Sequence, residues 1–209
     1  MPVTSFLTIC CLSDLHALHR DLEVPPADIV IIAGDFTFFD GSPAVVRDFN
    51  LFLGELKTKH KPLVIFGNHE MGFEANPARR ELLYNGHVLL NESITLEGLK
   101  VWGSPVTTHH GGAFAMPNPA DRKKLFRSIP EDVDIIITHG PPDIPGQTNG
   151  DPVLLDRVME VKPLVHVFGH EHSGYGTQTV GETLFVNCSL LGRGGGIENP
   201  PILLRLSRL

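Results

Sequence analysis

A chain of 209 residues, 42% of them hydrophobic, is long enough to bury the core of one good-sized domain. Its formal charge of −7 argues against general nucleic-acid binding, which needs a basic face, so any affinity for phosphate must be local. Three cysteines, Cys10, Cys11 and Cys188, follow no disulfide or zinc-knuckle spacing and read as reduced core thiols of a cytoplasmic protein.

Residues 6–12 form a short apolar run that reads as a buried strand, and Asp14-Leu15-His16 follows it at once. A second run, 29–33, leads into Gly34-Asp35. Ser42-Pro43 then supplies a helix N-cap and first turn, and the spacing Val45, Val46, Phe49, Phe52, Leu53, Leu56 carries an amphipathic helix to about residue 57. The run 63–66 ends in Gly67-Asn68-His69-Glu70, and Asn76-Pro77 opens a shorter helix through residue 84. Extended pieces follow at 87–90, 93–96 and 100–103, the last placing Trp102 in the core. Helices at 119–128 and 151–160 alternate with strands at 133–137, before Thr138-His139-Gly140, and at 164–168, before Gly169-His170-Glu171-His172. Further extended pieces lie at 175–180, 183–187 and 202–206. This order predicts a β-α-β first half and a more antiparallel second half, hence two packed sheets with helices outside them.

In an open α/β sheet the loops leaving the carboxyl ends of the strands converge on one crevice, so the five motifs arrive at one place. Asp14 and His16 fall on one side of an extended segment and reach one ion. His170 and His172 lie between Gly169 and Gly174, which let the loop bend closely around an ion. Singly, an Asp-x-His, a Gly-Asp or a lone His139 is as readily an ordinary turn or core residue. Together, in order and each after a strand, they read as a two-metal hydrolytic site.

The order Asp-x-His, Gly-Asp, Gly-Asn-His-Glu, His, Gly-His-x-His resembles the signature of the calcineurin-like metallophosphoesterase superfamily. Thr138-His139-Gly140-Pro141-Pro142, residues 166–176 and Asn199-Pro200-Pro201-Ile202 resemble its metallophosphoesterase-domain-containing branch, described as phosphodiesterases of the class III cyclic nucleotide type. The resemblance runs from about residue 7 to residue 206. It implies a four-layer α/β sandwich, two mixed β-sheets packed together and flanked by helices, as a single domain over residues 1–209. It also implies two divalent metal ions, one held by Asp14, His16, Asp35 and His172 and the other by Asp35, Asn68, His139 and His170, with Asp35 bridging. A hydroxide shared by the ions would be the nucleophile. Two doubly charged ions against two carboxylates and one hydroxide leave positive charge for a phosphate, and a carboxylate in place of Asn68 would cancel part of it. Nitrogen and oxygen donors without thiolate suit manganese, iron, zinc, cobalt or nickel, geometry rather than affinity deciding, and manganese is the ion expected.

The resemblance makes His69 the general acid beside the substrate. Much of the superfamily orients this histidine with an aspartate three residues after the bridging one, where this chain has Phe38, which leaves Asp40 and Glu70 as candidates for holding the ring. Asn68, His69 and Arg193 are the candidate substrate contacts. His109-His110-Gly111-Gly112 and Gly192-Arg193-Gly194-Gly195-Gly196 read either as site loops or as flexible surface loops. Arg79-Arg80 and Asp121-Arg122-Lys123-Lys124 read as solvated helix faces. Residues 1–5 lack signal-peptide character, no apolar run reaches membrane-spanning length, and the sequons at Asn91 and Asn187 are then chance matches. The reading is a phosphodiesterase acting on small phosphodiesters or nucleotides, cyclic nucleotides included, without a membrane partner. A phosphomonoesterase or phosphoprotein phosphatase is the alternative, and a non-catalytic scaffold of the same fold a third.

Overall fold

The computed structural model describes residues 6–39, 42–108, 111–192 and 194–207. Eleven strands are described in it, divided between two sheets. The first sheet runs β11 (Ile202–Ser207), β1 (Phe6–Leu12), β2 (Ile29–Ala33), β3 (Leu63–Ile65), β4 (His87–Val88). Its β1 to β4 are parallel, and β11 is antiparallel to β1. The second sheet runs β5 (Glu92–Leu96), β6 (Leu99–Ser104), β7 (Ile135–Thr138), β8 (Val165–Phe168), β10 (Thr183–Asn187), β9 (Gly176–Val180). There β6, β7, β8 and β10 are parallel, and antiparallel pairing is confined to the edges β5 and β9. Both sheets are therefore mixed, and the expected antiparallel second half is antiparallel only at its margins.

Strand periodicity sorts the apolar residues into layers. In β2, Ile29, Ile31 and Ala33 face inward and join Ile9, Ile65, Ile137 and Val167 between the sheets, while Val30 and Ile32 face outward. Those outward residues pack with Val46, Phe49, Phe52 and Leu53 of α1 (Pro43–Glu55). On the far side, Trp102, Ile136 and Phe185 pack with Phe126 of α3 (Pro119–Phe126) and with Leu154 and Val158 of α4 (Pro152–Val161). Two sheets with helices on both outer faces give the expected four layers. Each of these helices opens the same way: Ser42, Asn118 or Asp151 caps a backbone N–H, and a proline follows at the first helical position.

Residues 76–84 do not form an α-helix. A five-residue helix α2 (Met71–Ala75), too short to show periodicity, comes first, and Asn76 breaks it because a residue before proline is driven from α geometry; Pro77–Leu82 is then a 3₁₀-helix. Arg122 is not solvated either. Its guanidinium is buried against the Asp151 carboxylate at 2.7 Å and donates to the carbonyls of Met116 and Pro117, joining the start of α4 to the loop before α3. Cys10, Cys11 and Cys188 are free and buried, and burial pushes the Cys10 thiol up to about 12. No helix of the described residues is long and apolar enough to cross a membrane.

Phe36, just past β2, stacks on Phe49 with ring centroids 4.2 Å apart and planes 6° apart, so α1 supports the loop that carries Asp35. Phe49→Ala should cost about 3–5 kcal/mol. Urea unfolding should show this as a lower midpoint with an unchanged slope.

Candidate metal centre

The loops leaving β1, β2, β3, β7 and β8 meet at one end of the two sheets. Across the seam, the Ser13 N–H donates to the Cys188 carbonyl at 3.0 Å and the Leu190 N–H to the Ser13 carbonyl at 3.0 Å. Ser13 Oγ donates to the Ala33 carbonyl at 2.9 Å, tying the first loop to the second.

All seven residues expected as ligands, and His69, are gathered here. Asp14 Oδ1 lies 3.3 Å from His172 Nε2. Asp35 Oδ2 lies 3.1 Å from His139 Nε2, 3.8 Å from His16 Nε2 and 3.9 Å from His69 Nε2. Asn68 Oδ1 is 2.9 Å from both His139 Nε2 and His170 Nδ1. Three groups have donor atoms within 4.8 Å of one another: Asp14, His16 and His172; Asp35, His139 and His170; and His16, Asp35 and His69. His16 belongs to the first and third of these and Asp35 to the second and third, so the three groups form one continuous cluster. His69 and His172 are partly exposed and Asp14, Asp35 and His139 are buried, so the centre opens on the histidine side.

The backbone around it is strained. Asp14 (φ 57°), His16 (φ 41°), Ala17 (φ 66°), Asp35 (φ 50°) and His170 (φ 67°) are all left-handed. Asp14 and Asp35 brace the turns with their own side chains. Asp14 accepts the His170 N–H at 3.0 Å, and Asp35 Oδ1 accepts the His69 N–H at 2.9 Å, leaving Oδ2 toward the imidazoles.

The donors fit divalent cations. Both ring nitrogens of His16 are buried without a hydrogen-bond partner, a costly arrangement in which a cation would satisfy one of the two. His139 Nδ1 donates to the Ala33 carbonyl at 2.8 Å, which fixes the ring and turns the Nε2 lone pair of the neutral form to the centre. Protons occupy the same positions when no cation is bound. Burial opposes charge on His139, but the Asp35 carboxylate lifts its pKa to about 10, and the bond to Asp14 raises His172. Burial drives His16 down to about 4, against the pull of Asp35 and Asp14.

Glu70 does not hold the His69 ring. Its buried carboxylate accepts N–H bonds from Asp35 at 3.0 Å, Gly67 at 2.6 Å and Thr37 at 2.9 Å, and the Thr37 hydroxyl at 2.9 Å. It thereby staples the loop of Asp35 to the loop of Asn68. Burial and the Asp35 charge push its pKa up to about 7, against these four donors. Gly67 belongs to the same junction, since a Cβ there would stand 2.7 Å from the Asp35 nitrogen and 2.8 Å from His139 Cε1. Among the described residues, what holds His69 is the Phe39 N–H, which donates to Nδ1 at 3.4 Å, and the rings of His16, Phe38 and Phe39. Asp40, His109, His110 and Arg193 lie outside the described residues. Gly112 presses on Asn68, and the Ala113 N–H donates to the Asn68 carbonyl at 2.8 Å. Arg79 lies over the Phe73 ring and Arg80 pairs with Glu92, as expected of helix-face residues.

The calcineurin-like phosphoesterase family model matches residues 7–174. Metallophosphoesterase domain-containing protein 1 of Homo sapiens is 35% identical, with 94% of this chain and 70% of that protein aligned. UPF0046 protein K07C11.7 of Caenorhabditis elegans is 29% identical, with 98% and 77% aligned. Two solved structures share the fold. TT1561 of Thermus thermophilus aligns with a TM-score of 0.63 at 14% identity, covering 88% of this chain and 89% of that one. The phosphopantetheinyl hydrolase PptH of Mycobacterium tuberculosis aligns with a TM-score of 0.59 at 16% identity, covering 92% of each.

Glu70→Gln removes one carboxylate oxygen from a junction of four donors. It should lower stability by about 1–3 kcal/mol and weaken metal binding, measured by urea unfolding and by manganese titration. Because a cation must displace the proton of His139, apparent manganese affinity should rise from pH 6 to pH 8 with protons released. Calorimetry in buffers of different ionisation enthalpy checks the sign; a flat profile would contradict it.

Proposed function

We propose that this chain, which belongs to the calcineurin-like phosphoesterase family, is a two-metal phosphodiesterase that takes small diesters, cyclic nucleotides among them. Asp14, His16, Asp35 and His172 would hold one divalent cation and Asp35, Asn68, His139 and His170 the other, and these nitrogen and oxygen donors admit manganese, the ion we expect, as well as iron, zinc, cobalt or nickel. Bound there, the cations supply Lewis acidity and a water acidic enough to attack phosphorus near neutral pH.

The observation that carries the diester reading is the charge of the site. Among the described residues the donor groups contain two carboxylates, Asp14 and Asp35, and no lysine or arginine forms an ion pair with either. Carboxylates paired with no lysine or arginine among the described residues suit the single charge of a diester better than the double charge of a monoester. The carboxamide of Asn68 adds no negative charge where the phosphate enters.

The remaining steps belong to the chain's own groups. Because His69 Nδ1 accepts the Phe39 N–H, the neutral ring carries its proton on Nε2, the atom that faces Asp35. As the water oxygen bonds to phosphorus, the bond to the leaving alcohol breaks and that alcohol's oxygen takes the His69 proton. The water's own proton restores the imidazole through solvent. Three free, buried thiols support a reducing, cytoplasmic setting.

Chelation should abolish hydrolysis and manganese should restore it. By kcat/KM, bis-nitrophenyl phosphate and cyclic nucleotides should exceed mono-nitrophenyl phosphate; a clear preference for monoesters would move the assignment to a phosphatase. His69→Asn should keep both metals and lose about 10²–10⁴-fold in kcat on alkoxide leaving groups, with a smaller loss on nitrophenolate. Equal losses on both would refute the acid role.

A further inference from the structure

Phe36 is fully buried, yet the next two aromatic residues of its loop turn outward: Phe38 is 57% exposed and Phe39 65%. Single exposed apolar residues are ordinary, and Phe6 and Leu203 on neighbouring strands of the first sheet are examples. Two adjacent phenyl rings at the rim of a metal centre are not. Phe39 in addition stands in left-handed geometry at φ 46°, a conformation costly for a bulky aromatic residue. The two rings meet edge to face at 4.6 Å. Both also touch the catalytic edge. Phe38 lies nearly parallel to His69, with planes 24° apart and centroids at 5.9 Å, and its edge meets His16 at 5.8 Å. Phe39 sits 5.1 Å from the His69 ring.

We infer that Phe38 and Phe39 form a stacking platform for a planar aromatic ring carried on the leaving group of the substrate, either a nucleobase or a simple aryl ring. The inference rests on the diesterase reading. An oxygen that departs with the Nε2 proton leaves against His69, and the rings packed about His69 are within reach of what it carries. A π-face recognises any planar base without reading its hydrogen-bonding edge, so selection would be for aromatic leaving groups as a class. Stacking of one base on an aromatic side chain is typically worth roughly five- to 150-fold in binding.

Manganese-loaded wild type, Phe38→Ala, Phe39→Ala and Phe38→Tyr can be compared on three diesters: cyclic AMP; the cyclic phosphate of 1-O-methylribose, which keeps the ester and leaving alkoxide without the base; and nitrophenyl methyl phosphate. The alanine variants should lose roughly ten- to hundredfold more kcat/KM on a ring-bearing ester than on the base-free one, and Phe38→Tyr should keep the wild-type ratio. A loss selective for cyclic AMP identifies a nucleobase, and one selective for the aryl ester identifies an aryl ring; either upholds the platform. Equal losses on all three would mean that the rings only support His69, and no loss would leave them without a role; both overturn it. A binding measurement separates this result from the diesterase reading. AMP should bind the metal-loaded protein more tightly than ribose 5-phosphate, and Phe38→Ala should erase the difference. If the wild type cleaves no diester, the diesterase reading falls while calorimetry still decides the platform: equal affinities for AMP and ribose 5-phosphate, together with equal affinities for phenyl phosphate and methyl phosphate, overturn it.

Discussion

Two carboxylates taken out of water dominate this structure. Asp14 and Asp35 are at most 2% exposed, and an ionised carboxylate so placed costs several kcal/mol unless positive charge or hydrogen bonds compensate it. Both stay ionised: burial opposes it, but His172 and His139 respectively hold the carboxyls below the usual range. The imidazoles, the amide of Asn68 and the surrounding N–H groups are arranged around that demand. A divalent cation meets it more fully than a proton does, since it adds charge without requiring an imidazole to ionise inside the protein.

The left-handed turns follow from the same requirement. A strand end that continued extended would carry its carboxylate past the crevice; a turn at Asp14, Asp35 or His170 brings the side chain back over the sheet edge. Such turns persist only where their surroundings over-determine them. Here the bracing is done by the hydroxyl of Ser13, the carboxylate of Glu70 and the paired strand ends beneath, with the Phe36–Phe49 stack and α1 behind the second loop. The stiffness of the centre is thus a property of its supports as much as of its ligands.

Strands and ligands were legible because both leave local marks. Apolar runs such as 29–33 and 63–66 announce buried strands, and Gly34-Asp35 or Gly169-His170 directly after a run announces a site loop. The order of the motifs also carried the family resemblance. What stayed hidden depends on distant partners. Glu70 reads as one more acid in its motif until Asp35, Thr37 and Gly67 are seen to share its oxygens, and Ser13 is an unremarkable serine until the Ala33 carbonyl is beside it. Arg122 has the sequence context of a solvated helix face, and only the nearness of Asp151, 29 residues away, shows it to be buried. Sheet membership was illegible for a related reason: nothing within Ile202–Ser207 says that it will lie against β1.

The bond from the His170 N–H to the Asp14 carboxylate joins positions 156 residues apart. Closing so long a span costs more chain entropy than closing a local turn, so the two halves of the centre come together only with the packing of the two sheets. Asp14, His16, Asp35 and Asn68 on one side of that span and His139, His170 and His172 on the other are each a partial donor set. A full donor set is thus a property of the packed sheets and not of any one segment, so the affinity of the centre for a cation is coupled to the stability of the whole fold.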